Sequence, residues 1–112
     1  MAQWDEGAAK ITSTRLGYED HGILTAMLML EGEEWGQGFG GYGLDGPYDK
    51  GQKRRLPSIE CGRWVAGILD ALEVESWEQL PGQIVRYRRD SAEFNAKIVA
   101  IGHAYKNRWF TP

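Results

Sequence analysis

At 112 residues, with 42% hydrophobic and 26% charged side chains, the chain has the balance of one globular domain and can bury a core without disulfides. Its net charge of −3 disfavours a protein built mainly to coat nucleic acid, without excluding a local basic patch. Cys61, the only cysteine, rules out an intrachain disulfide and suits a reducing compartment, and the first residues lack the basic and apolar runs of a signal peptide.

Residues 1–9 have no hydrophobic period and are expected to form a flexible N-terminal segment. Residues 10–18 mix Ile, Thr, Arg, Leu and Tyr and predict a first strand, followed by a turn at Glu19-Asp20-His21-Gly22. Residues 23–30 are nearly all apolar, which predicts a second strand buried on both faces at the centre of a sheet. The length also suits a buried helical segment; the flanking turns favour the strand. It is far too short to span a membrane.

After a turn at 31–34 comes a segment with six glycines, at 36, 38, 40, 41, 43 and 46, interleaved with Trp35, Phe39, Tyr42 and Tyr48. Part of it predicts a third strand, with glycine where something packs close. Residues 49–56 form a charged, exposed loop in this reading, carrying Lys50, Lys53, Arg54 and Arg55.

Pro57-Ser58 opens the main helix, which should run to about residue 72, with Ser58 as N-cap and Glu60 complementing the dipole. Cys61, Trp64, Val65, Ile68, Leu69 and Leu72 form its apolar face, and Gly62 and Gly67 let it sit close to the sheet. Ser76 and Gln79 fit a capping box around one short helical turn, and Pro81-Gly82 turns the chain again. Residues 83–89 and 96–104 predict two further strands. Residues 105–110 predict a last short strand or an extended tail pinned by Trp109 and Phe110. The fold class is therefore α+β: a single domain over residues 1–112, in which a mostly antiparallel sheet of about five strands packs on one main helix. A small curled barrel is the competing architecture.

Three segments carry a resemblance. They are Leu16-Gly17-Tyr18-Glu19-Asp20-His21-Gly22, then Gly36-Gln37-Gly38-Phe39-Gly40-Gly41-Tyr42 with Leu44-Asp45, and Ile101-Gly102-His103 leading to Trp109-Phe110-Thr111-Pro112. With the mid-chain Glu75-Ser76-Trp77-Glu78-Gln79-Leu80-Pro81-Gly82, they resemble a family of small, uncharacterised proteins of tailed bacteriophages and prophages. The resemblance spans residues 16–112 and implies a phage accessory protein in the host cytoplasm. It supplies no catalytic residues. A counter-defence role follows only by association.

Four constellations are candidates for chemistry. The glycine-aromatic segment could cradle an anion or admit a ligand, or simply form a bulge or tight sheet edge. It is neither a phosphate-binding P-loop nor a dinucleotide fingerprint. Asp20, His21, Asp45 and His103 could ligate a divalent ion, but no pair has ligand spacing on one element, so no metal or cofactor is expected. Cys61 near a helix start could be activated, yet its place on the apolar face argues for an inert thiol, so a small metal-dependent enzyme is only an alternative reading. The basic residues Arg54 and Arg55, with Arg86 and Arg88 flanking Tyr87, could bind single-stranded nucleic acid; on a strand Arg86 and Arg88 share one face while Tyr87 and Arg89 share the other. The favoured expectation is binding to a host or phage protein through Trp35, Phe39, Tyr42 and Tyr48, since aromatics concentrate binding energy. Self-association is open, nucleic acid is the weaker partner, and no membrane contact is expected.

Overall fold

The computed structural model describes residues 5–19, 22–91, 93 and 96–112, with Tyr42 described by its backbone alone. Its longest strand, β1 (Asp5–Glu19), organises the rest. The first half of β1 pairs with β6 (Ile84–Arg89), from Asp5↔Arg89 to Lys10↔Ile84. The second half pairs with β2 (Ile23–Gly32), from Lys10↔Glu31 to Glu19↔Ile23. A shift in register between Ile11 and Ser13 marks the crossover; such a bulge bends and twists a strand, so that it serves two different neighbours. Residues 5–9 thus belong to a strand, with Ala9 buried, which corrects the expected flexible segment over residues 1–9 for its described part. The expectation failed because Asp5, Glu6 and Gly7 carry no apolar pattern; pairing with a strand from the far end of the chain holds them.

β2 continues into β3 (Trp35–Tyr42), and β6 into β7 (Ile98–His103) and β8 (Trp109–Phe110). The six-stranded sheet has the order β3-β2-β1-β6-β7-β8, and every pairing is antiparallel. Residues expected in a charged loop form instead a small ribbon, β4 (Tyr48–Asp49) with β5 (Arg54–Arg55).

The α+β reading holds: one main helix, α1 (Ile59–Leu72), packs against this sheet and touches β2, β7 and β8. The sheet is also curled, because β3 comes against β7 although no ladder joins them among the described residues. A β1 shared between two neighbours, a helix between the third and fourth strands of the ring, and contact between β3 and β7 give a curled, partly open barrel. Helix on sheet and curled barrel, which the sequence offered as rivals, describe the same molecule.

β2 lies second from the edge, and its second face is buried only at Thr25. Ala26, Leu28 and Leu30 point into the core, while Met29 on the other face is 40% exposed. The continuous apolar run therefore does not mark a central strand. The core joins Ile11, Leu28, Leu30, Val85 and Ile101 of the sheet to Ile68 of α1 and Leu80 beyond it.

The Ser58 hydroxyl accepts from the Glu60 N–H at 3.2 Å, the expected N-cap. Trp64, Ile68, Ala71 and Leu72 are the buried residues of α1; Leu69 and Cys61 pack only partly, and Val65 is half-buried outside the core. The helix is thus turned from its expected face, because the Trp64 ring packs 5.0 Å from Phe110 and 5.7 Å from Phe39. Gly67 is the glycine that permits the approach: a Cβ there would lie 2.5 Å from the Phe110 ring. The capping box forms as read, with the Gln79 side chain accepting from the Ser76 N–H at 3.2 Å.

Candidate functional site

The strand period decides where the glycine-aromatic segment points. Met27 stands opposite Gly40, Met29 opposite Gly38 and Glu31 opposite Gly36, so the outward positions of β3 at 36, 38 and 40 carry no side chain. Trp35 and Phe39 occupy the inward positions. Phe39 is 3% exposed, against Trp64 and Phe110, which corrects the expectation of an exposed anchor. Trp35 meets Tyr87 edge-on at 5.1 Å and lies 4.6 Å from the Arg89 guanidinium, so it is largely engaged too. Gly41 packs beneath Leu44 and Trp64, where a Cβ would sit 2.6 Å and 2.7 Å away. Tyr48 is exposed on the β4–β5 ribbon, and the side chain of Tyr42 lies outside the described residues. Trp35, Phe39 and Tyr48 do not form one surface.

What this arrangement leaves is a groove of about 510 Å³ along the β3–β7 seam. Met27, Gly38, Phe39 and Gly40 form one wall, Lys97, Ile98 and Val99 the other, with Trp64 between them and Thr111 and Pro112 at the margin. Its size is that of a ligand site, and its lining is mostly apolar. The Met27 thioether lies over the bare backbone, 2.9 Å and 2.7 Å from where Cβ atoms of residues 38 and 40 would be. Lys97 is the charged residue of the lining, and its ammonium has no ion-pair partner among the described residues. Sequence reasoning missed this groove because it joins parallel strands that are linked only through the rest of the ring. The one available signal was the alternation of glycine at 36, 38 and 40.

The arginines proposed for nucleic acid sit on two separate elements, and most are engaged within the protein. Arg55 pairs with Asp45 at 2.7 Å, while Arg54 is exposed. Arg86 donates to the carbonyls of His103 at 2.8 Å and Lys106 at 2.7 Å, with its guanidinium 4.8 Å from the Trp109 ring. Arg88 pairs with Glu6 at 3.0 Å and lies 3.8 Å from the same ring. The face assignment on β6 holds: Tyr87 and Arg89 are buried on one side, and Arg86 and Arg88 flank Trp109 on the other.

Of the metal-capable groups, Asp45 is bound to Arg55, and the His103 Nδ1 accepts from the N–H groups of Tyr105 and Lys106 at 3.3 Å each. Asp20 and His21 lie outside the described residues. No group of three or more His, Cys, Asp or Glu side chains suited to a metal occurs among the described residues. The strongest electrostatic feature is Glu73, which ends α1 in a left-handed conformation with φ 56°. Its carboxylate accepts from Lys106 at 2.6 Å and 2.9 Å and lies 3.4 Å from Arg108 and 3.8 Å from His103. The Lys106 hydrogen bond, opposed by desolvation and reinforced by the charges of Lys106, Arg108 and His103, holds the Glu73 carboxyl below its ordinary range.

No protein-family model matches the chain, and no curated protein or solved structure matches it. No helix among the described residues is long and apolar enough to cross a membrane.

Proposed function

We propose that this chain is a protein-interaction module, a phage or prophage accessory protein that takes up part of a host or phage protein along the β3–β7 groove. The observation that carries the reading is the groove itself: an apolar cleft beside a strand whose outward positions are glycine. Met27 and Met29 add a polarizable, adaptable surface of the kind that suits protein partners. Counter-defence in the host cytoplasm is the role such a module would fill if its partner is a host defence protein.

The curled, partly open barrel favours a second reading, because some small barrels of that shape bind oligonucleotides on the face of their second and third strands. Fold analogy alone does not carry function. Here positions 36, 38 and 40 of that face offer no aromatic platform for bases, and Arg55, Arg86 and Arg88 are engaged within the protein.

The test is recovery of tagged protein from infected or lysogenic host cells, with and without nuclease. A protein partner should survive nuclease and be lost with Gly38→Lys, a change that need only displace the flexible end of Met27. Arg54→Ala should leave capture intact. Nuclease-sensitive recovery that follows the arginines would replace this reading with the nucleic-acid one.

A further inference from the structure

We infer that the groove recognises an extended peptide segment with apolar side chains and one carboxylate, which adds as a strand to the free edge of β3. The inference rests on the reading of the groove as a protein-binding site and names what that site selects. β3 is the terminal strand of the six-stranded order, so its far edge pairs with no ladder among the described residues. On a terminal strand, amides and carbonyls along that edge are open to pairing.

Sheet edges are ordinarily blunted by charges, proline, bulges or short length. β3 has none of these: it runs eight residues, Trp-Gly-Gln-Gly-Phe-Gly-Gly-Tyr, in regular register with β2 and without a charge. The exposed glycines at 36, 38 and 40 put no side chain of their own on the outer face of β3, and over positions 38 and 40 lies only the flexible end of Met27, with the Met29 sulfur near position 38. A strand laid on this edge would run beside Met27 and Val99, the part-buried apolar side chains of the lining, which favours apolar residues at the positions that face them.

Lys97 supplies the second selection. It is exposed at the groove with no anionic partner among the described residues, so a carboxylate on the incoming segment would complete it. A second copy of this chain does not satisfy that requirement through its own β3, which has no acidic residue.

Selection of short random peptides on the immobilised protein, followed by fluorescence anisotropy of the winners, tests the inference. The expected winners alternate β-branched or aromatic residues and carry an aspartate or glutamate. Lys97→Glu should weaken them about fivefold, and exchanging the peptide carboxylate for an ammonium should restore binding to that variant. Gly38→Lys should block all of them while keeping the thermal midpoint of the parent.

Winners without acidic preference that are still blocked by Gly38→Lys would overturn the inference and leave the groove reading standing. Winners indifferent to Gly38→Lys, or none at all, would remove both. Concentration-dependent self-association that Gly38→Lys abolishes would make a second copy the occupant and overturn the inference.

Discussion

The β2–β3 side and the β6–β8 side of the barrel solve opposite problems. On β6 and in the turn between β7 and β8 the side chains are large and charged, and they bind one another or the backbone. Arg86 ties the β7–β8 turn through two carbonyls, Arg88 and Arg86 flank Trp109, and Glu73 gathers Lys106 and Arg108. Along β3 the side chains are missing at alternate positions, and one edge is unpaired among the described residues. Charge density therefore marks the part of this molecule whose polar groups are paired within the chain, and the plain, glycine-rich strand marks the part whose edge is unpaired among the described residues.

The largest effect that would break this contrast is at Phe39. If its ring is core, Phe39→Ala should lose about 3–5 kcal/mol of stability in urea unfolding. A loss near zero, with weakened partner capture, would return Phe39 to the surface and dissolve the groove wall. Next comes a pair of arginines that look alike in the sequence. Arg86→Ala removes two hydrogen bonds and should cost about 1–2 kcal/mol, whereas exposed Arg54→Ala should stay within about 0.5 kcal/mol. Equal and small losses would mean that the β6–β8 side is not internally saturated.

The smallest effect is a pH dependence. The folded-state pKa of Glu73 is depressed by Lys106, so its contribution to stability is present above the unfolded pKa and is lost as pH falls through the folded one. Thermal midpoints should therefore drop more steeply below about pH 4.5 for the parent than for Glu73→Gln. Parallel curves for the two proteins would show that the Glu73 cluster adds nothing in solution.

Much of the fold was legible because its signals are local. The Ser58 cap, the Ser76–Gln79 box and the two faces of β6 each follow from a few neighbouring residues, and each is found as read. The start of β1 was not legible, because its partner is β6 and its own residues 5–8 carry no period. The β4–β5 ribbon escaped for a related reason: each strand is two residues long, and turn contacts such as the Gln52 N–H to Asp49 at 2.9 Å help to hold it. Phe39 was misplaced because glycine beside an aromatic reads as a binding loop, whereas in a strand the same spacing turns the aromatic inward and bares the outside. The groove needed two segments, 38–40 and 97–99, that only ring closure brings together.

The division of β1 between two neighbours also sets an order of events in folding. Its second half pairs with β2, which follows only a few residues later, and can zip early, whereas its first half must wait for β6, with Asp5 finding Arg89. Closing so long a loop is entropically slow, and contacts of this range delay two-state folding. During synthesis residues 5–10 emerge well before β6 and wait longest for their ladder. Until β6 arrives, the nascent chain carries a second unpaired strand edge beside that of β3, which has no ladder among the described residues.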